Sequence, residues 1–119
     1  MIEVEKEELE KSSNKLEAKV EEMNRQCPRE VDPGIVMTSV ELVDEEYITT
    51  YEVDEEQVDF PRFCKDLDFI KSQTITGLKI SAKHPVNQLF KQYHTTLTSV
   101  YIGKQTGKHV KFTIKPIEW

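Results

Sequence analysis

Long apolar runs are missing from this chain of 119 residues. A membrane-spanning helix needs about 20 predominantly apolar residues in succession, so the sequence predicts none. Residues 1–6 also lack the basic stretch followed by an apolar stretch that marks a secretory signal. Two locations stay open: the cytoplasm, or the periplasm or cell envelope if a signal segment has been removed.

Glycine and proline are scarce, with four and five residues. This scarcity argues against a fibrous repeat, and a hydrophobic fraction of 37% argues against disorder. A chain of this length can bury enough apolar surface for one core without metals or disulfides. The sequence therefore predicts a single domain over residues 1–119, of which residues 1–10 can fray.

Cysteine is limited to Cys27 and Cys64. Two cysteines do not make a disulfide framework, and their spacing is not the C-x2-C of a zinc or redox site. Both fall on predicted apolar faces, which favours thiols that pack as small hydrophobic groups. A Cys27–Cys64 disulfide remains the alternative if the protein is exported.

Basic residues are rare in the first half of the chain. Residues 1–60 contain 19 acidic and 6 basic side chains, whereas residues 61–119 contain 3 and 10, for a net charge of −6. Two interpretations follow. The halves attract each other within the fold, or the basic C-terminal half meets an anionic partner.

The first periodic segment predicts a helix. Residues 3–26 are rich in Glu, Lys and Leu without glycine or proline, and the helix should end at Cys27-Pro28. Ser13 interrupts the apolar stripe, so only the C-terminal half is expected to dock. The pattern lacks three clean heptads, which favours a monomer over a coiled-coil dimer. The stripe consists of Leu9, Leu16, Val20, Met23 and Cys27.

Two further segments predict a β-hairpin. Residues 35–43 and 47–53 are rich in β-branched and aromatic residues and flank the acidic triplet 44–46. Alternation along each strand suggests which residues face the core. These are Val36, Val40 and Leu42 on the first strand, and Tyr47, Tyr51 and Val53 on the second.

The middle of the chain is predicted to be helical. Asp59 followed by Pro61 is typical of a helix start, and apolar residues then recur at helical spacing. Residues 74–82 lean locally towards a strand but continue the helical face, so a helix is favoured. His84-Pro85 opens a further short helix. The inward residues are Phe60, Phe63, Cys64, Leu67 and Ile70, then Val86, Leu89, Phe90 and Tyr93.

The end of the chain predicts a second hairpin, with strands 97–102 and 108–115 around the loop 103–107. Its last strand alternates, with Val110, Phe112 and Ile114 on one face and His109, Lys111, Thr113 and Lys115 on the other. The predicted fold class is α+β. We expect an N-terminal helix, a hairpin, one or two middle helices and a C-terminal hairpin, with an antiparallel sheet of about four strands and helices packed on one face.

Four short motifs accompany this order of elements: Asn24-Arg25-Gln26-Cys27-Pro28, Thr38-Ser39-Val40, Tyr51-Glu52-Val53-Asp54-Glu55 and Tyr101-Ile102-Gly103-Lys104-Gln105-Thr106-Gly107-Lys108. On these motifs, residues 20–115 resemble an uncharacterised family of small exported or lipid-anchored proteins of Bacteroides-type bacteria. The resemblance implies an α+β fold with two hairpins and a helical middle. It implies no activity.

Phosphate and calcium sites are not supported by the sequence. The loop Gly103-x3-Gly107 has one residue too few for a phosphate loop, and His109 stands near the position of the magnesium-binding Ser or Thr. The acidic clusters 44–46 and 54–59 lie at opposite ends of a strand of about 20 Å, which is too far apart for one calcium ion.

A thiol site has little support. Cys64 with His84 or His94 could supply a nucleophile and its base, but Cys64 lies on an apolar stripe, which favours packing. With His109, the three histidines lack further ligands at zinc spacing. The sequence therefore predicts no catalytic residue, metal or cofactor. A small thiol-dependent enzyme or hydrolase that uses Cys64 and a histidine is the alternative.

The best candidate binding surface is the basic strip formed by Lys104, Lys108, His109, Lys111 and Lys115. Lysines on an exposed strand also protect a sheet edge from pairing. The strip could instead bind an anionic partner, and a pI near 5.1 favours a protein or glycan over nucleic acid. We expect a non-enzymatic binding or structural module of the bacterial cell envelope.

Overall fold

The computed structural model describes residues 15–119. Its helices are α1 (15–25), α2 (Phe60–Lys65), α3 (Leu67–Ile80) and α4 (Pro85–Gln92). Its strands are β1 (Arg29–Asp32), β2 (Ile35–Val43), β3 (Glu46–Val53), β4 (Thr96–Gly103) and β5 (His109–Ile114), and a 3-10 turn follows at Pro116–Glu118. The α+β class and the order of helix, hairpin, helices and hairpin are confirmed. The predicted fraying of residues 1–10 lies outside the described residues.

The sheet differs from the expectation of about four antiparallel strands. It has five strands in the order β1-β2-β3-β4-β5. Its central pair is parallel, with Glu46 opposite Thr96 and Val53 opposite Gly103. Three helices connect β3 to β4, and such a long connection can return the chain to the end where β3 began. The sheet is therefore mixed, and two antiparallel hairpins meet at a parallel seam.

The additional strand is β1, in a region that was predicted as a loop. All four of its residues are exposed, so they carry no alternation that would mark a strand. β1 pairs with β2 through a tight turn at Pro33-Gly34. Gly34 has a φ of 80°, which glycine adopts at little cost.

The core lies on one face of the sheet and has two parts. The N cluster contains Leu16 and Val20 of α1, Val40 and Tyr47 of the first hairpin, and Val86 and Phe90 of α4. The C cluster contains Val53, Phe60, Tyr101, Phe112 and Ile114. Every sheet residue in these clusters lies on the side that the helices cover. We call the opposite side the open face.

One predicted strand face is wrong. The register of β2 against β3 shifts between Met37 and Ser39, which is a β-bulge at Thr38. The bulge puts Val36 on the open face, opposite Glu52, while Val40 and Leu42 face the helices as predicted. Alternation alone could not locate the extra residue.

The helical middle follows the predicted signals. The Asp59 side chain accepts a hydrogen bond from Arg62 N–H at 3.3 Å and begins α2. His84 Nδ1 accepts from Val86 N–H at 3.4 Å and begins α4. Residues 74–80 are helical, as favoured. None of the helices within residues 15–119 is long and apolar enough to cross a membrane.

Candidate functional site

The main candidate site is an open groove between α2 and the C-terminal hairpin. Its volume is about 650 Å³. Phe60, Pro61 and Cys64 line it from the helical side. The hairpin contributes the opposite wall, which consists of Thr106, Gly107, Lys108, His109 and Val110, and Glu55 lies at one end.

The helical wall is fixed by packing of α2 on the sheet. Phe60 is 3% exposed, and the neighbouring Phe63 contacts the Tyr101 ring edge-on at a centroid distance of 4.8 Å. These aromatic contacts anchor α2 over β4 and β5. Cys64 is half-buried and packs against the same cluster. The groove therefore has an apolar floor that is held in place by the packing of α2 on the sheet.

The opposite wall is fixed by carboxylates from the segment after β3. Glu55 Oε1 accepts hydrogen bonds from the Gln105 and Thr106 amides at 3.0 and 2.8 Å, and the Thr106 hydroxyl lies 3.0 Å from Glu55 Oε2. The Gln105 side-chain amide donates a hydrogen bond to the Asp54 carboxylate at 2.9 Å. The Lys104 amide donates to the Val53 carbonyl at 2.8 Å. The loop is thus tied to the end of β3.

These contacts also set the charge of the groove. Hydrogen bonds from the Gln105 side chain, the Glu56 amide and the Gln57 side chain lower the pKa of Asp54. Hydrogen bonds from Thr106 and Gln105 lower the pKa of Glu55. Both carboxylates are therefore ionised at neutral pH and engaged with the loop. Lys108 and His109 are exposed at the rim.

The structure divides the predicted basic strip. Lys104 and Lys108 lie in the loop, and Lys108 and His109 line the groove. Lys111 is exposed on the open face, further along β5. Lys115 lies beyond the other end of β5, about 20 Å from His109 along the chain, beside Pro116 and Ile117. The strip is a row along the sheet edge with its densest part at the groove.

The predicted thiol site is not assembled from the expected histidines. His84 caps α4, and His94 lines a separate depression with Lys115. His109 borders the groove of Cys64, but the alternation of β5 places its side chain on the open face. Cys27 and Cys64 are free thiols in this structure. Residues 15–119 contain no group of three potential metal ligands.

Sequence reasoning missed Glu55, Gln105 and Thr106 as a unit. They belong to segments that are distant in the chain, so no local pattern connects them. The one local sign is that three polar residues, Lys104, Gln105 and Thr106, lie between Gly103 and Gly107. The Glu55 carboxylate lies so close to Gly103 that a Cβ atom at this position would collide with it. The contact therefore requires glycine at position 103.

Comparison with known proteins adds a fold likeness. No protein-family model matches the sequence, and no curated protein matches it. The structure is similar to a crystal structure of a Pseudomonas aeruginosa protein that is provisionally described as secreted, with a TM-score of 0.73. The two chains are 14% identical, and the match covers 91% of this chain and 92% of the other. At this identity, the likeness shows the fold alone.

Proposed function

We propose that this protein is a non-enzymatic binding module of the bacterial cell envelope, and that it binds its partner at the groove between α2 and the C-terminal hairpin. The observation that carries the proposal is the combination of an apolar floor with a basic rim. Phe60, Pro61 and Val110 can contact an apolar group, while Lys108 lies where an anionic group would reach it.

Export is supported by two likenesses. The four sequence motifs resemble a family of Bacteroides-type bacteria whose members are mostly exported or lipid-anchored. The Pseudomonas aeruginosa protein with a similar fold is provisionally described as secreted. We propose the same compartment for this chain, acting as one domain over residues 1–119. A signal segment encoded upstream of Ile2 in the native gene would support it, and recovery of the native protein from the cytoplasm would contradict it.

A binding role is favoured over thiol chemistry by the arrangement around Cys64. A thiol nucleophile needs a base within hydrogen-bonding reach and a group that orients this base. The His109 side chain projects to the open face, and Glu55 is engaged by the loop amides. Binding, in contrast, needs only the surface that the groove already presents.

Hexanoate is a suitable probe of the groove, because it joins one apolar tail to one carboxylate. Titration into the 15N-labelled protein should give saturable shift changes that centre on Cys64, Lys108 and Val110. Lys108→Gln should weaken binding, while Lys79→Gln on the exposed part of α3 should not. Shift changes that are absent, or scattered over the surface, would contradict a binding groove.

The thiol-enzyme alternative is tested by the labelling rate of Cys64. In a Cys27→Ser variant, iodoacetamide at pH 7 should react with Cys64 no faster than with free glutathione. Labelling more than about tenfold faster would indicate an activated thiolate and would support the enzyme instead.

A further inference from the structure

The outer side of β5 is a free strand edge. No other strand within residues 15–119 pairs with it. The Gly103 amide donates to the carbonyl of the opposite residue, Lys108, at 2.8 Å. From this pair onwards, hydrogen-bonded and non-hydrogen-bonded residue pairs alternate along the antiparallel strands β4 and β5. The backbone N–H and C=O groups of alternate residues therefore point away from β4. These residues are His109, Lys111 and Thr113.

The other edge of the sheet, β1, is built differently. β1 has four residues, and its register against β2 shifts between Glu30 and Asp32. A short strand with an irregular register is a poor template for a further strand. β5 has six residues that pair with β4 without a shift. Within residues 15–119, β5 is thus the sheet edge that is regular over its whole length.

The two sides of the β5 edge have different chemistry. On the helical side lie Val110 and the groove, with Pro61 and Cys64 as its far wall. On the open face lie the exposed side chains of His109 and Lys111. An added strand would alternate between these two sides, since opposite residues in neighbouring strands share a face. Its matching pattern is apolar towards the groove and acidic towards the open face.

The charges near the edge favour an acidic segment over a second copy of this chain. Glu55, the carboxylate in the groove, is already engaged by the loop amides. Pairing of two β5 strands would bring their basic side chains together, and like charges on paired strands are destabilising. Lysines that hinder self-pairing would attract carboxylates.

We propose that β5 binds an extended segment of another protein by β-strand addition, and that this segment alternates apolar and acidic residues. The proposal rests on the proposed function, because it names the partner that occupies the same groove. Backbone hydrogen bonds to His109, Lys111 and Thr113 hold the segment. Apolar side chains in the groove and carboxylates near Lys111 select it.

The probe is the peptide acetyl-Glu-Val-Glu-Val-Glu-Val-amide, titrated into the 15N-labelled full chain. Binding should slow amide hydrogen exchange at His109, Lys111 and Thr113. It should also shift the amide resonances of Cys64 and Val110. A peptide with lysine in place of glutamate should not bind. Lys111→Glu should weaken binding of the acidic peptide about fivefold, as expected for a charge at an interface rim. The control Lys79→Glu should leave it unchanged.

Two N-methylated peptides test the hydrogen bonds directly. In a bound strand, only one of the two alternate sets of peptide amides faces β5. Each of the two peptides is methylated at a different one of these sets. One peptide should bind like the parent, and the other should lose binding. Equal binding of both, or no binding of the acidic parent, would overturn strand addition, whereas a groove that still responds to hexanoate would leave the proposed function intact. A dimer of the free protein that protects the same amides would also overturn it.

Discussion

The two hairpins of this protein have similar strands and opposite surroundings. The first, β2–β3, turns through Asp44 and Glu45 and is flanked by β1 on one side and by β4 on the other. The second, β4–β5, turns through a five-residue loop, 104–108, and in the described part of the chain it has a neighbour strand only along β4. The first hairpin is therefore interior to the sheet, and the second ends it.

Under the proposed function, this difference separates a structural hairpin from the hairpin that borders the groove. β3 is paired on both sides, whereas β2 pairs with β3 along its length and with β1 only at Ile35–Met37. Beyond Met37, the Val40 amide donates to the Asn24 side chain of α1 at 3.0 Å. The second hairpin keeps one strand side accessible and borders the groove through residues 106–110. Its longer loop needs an anchor, which Glu55 and Asp54 provide from the end of the first hairpin. The end of the first hairpin thus holds the loop of the second hairpin in place.

The largest effect should come from the C cluster. Phe112→Ala should lower the free energy of unfolding by about 3–5 kcal/mol, because it opens a cavity beside Tyr101 at the base of the second hairpin. Lys111→Ala, one residue earlier on the open face, should change it by less than about 0.5 kcal/mol. Urea denaturation measures both. Similar effects of the two substitutions would mean that the assigned faces of β5 are wrong.

Substitutions at two glycines allow the turn before the first hairpin to be compared with the loop of the second hairpin in their tolerance of a Cβ atom. Gly107 has a φ of 74° and an open surrounding, so Gly107→Ala should cost only the left-handed strain of about 1–2 kcal/mol. Gly34 has a φ of 80°, and an added Cβ would lie 2.9 Å from Val58 Cγ2. Gly34→Ala should therefore be the more destabilising substitution in thermal unfolding. The reverse order would contradict the tight turn.

The anchoring of the loop 104–108 by Asp54 and Glu55 should weaken at acid pH. Because the fold lowers the pKa values of Asp54 and Glu55, their contribution to stability is fully present above their ordinary pKa values of 3.8 and 4.5. This contribution is lost as the pH falls through the lowered pKa values that the two carboxyl groups have in the folded state. Hydrogen exchange at the Gln105 and Thr106 amides should accelerate over that range, relative to the residues of β2.

The matched variants are Glu55→Gln and Glu56→Gln. Glu55→Gln should accelerate exchange at the loop amides already at neutral pH, since it weakens the acceptor of three donors. Glu56 is exposed, and its substitution should leave the loop unchanged. A loop that is equally protected in both variants would show that Glu55 is not the anchor.

The smallest effect is expected on the exposed edge. Lys111→Glu together with Lys115→Glu should leave the free energy of unfolding within about 0.5 kcal/mol of the parent, because both side chains are exposed. Thermal unfolding measures this. Loss of the folded state would place these lysines inward and would remove the contrast between the hairpins.

Local patterns were sufficient for most elements of the fold. Asp59 and His84 mark helix starts, and alternation in residues 109–114 gives the faces of β5. β1 could not be predicted, because its four exposed residues have no apolar alternation. The parallel pairing of β3 with β4 could not be predicted either, since it depends on how three helices pack together.

The candidate site was predictable only in part. The basic residues of the last hairpin were identified from their position on a strand with one polar face. The groove was not, because the approach of Cys64 to Val110 depends on the packing of α2 against the sheet. The role of Glu55 was also missed, since acidic residues after a strand are usually solvated and no local pattern marks the exception.

The parallel seam between the hairpins has a consequence for folding. Each hairpin can form from neighbours in sequence within microseconds, but Glu46 meets Thr96 only after the whole helical connection has been enclosed. Closing that loop costs entropy before its contacts form, so docking of the two hairpins should limit the folding rate. Substitutions in the seam should then slow folding, whereas those in the outer turns should mainly speed unfolding. Among the strands of residues 15–119, none pairs with the outer side of β5 at any stage of this order, including the last.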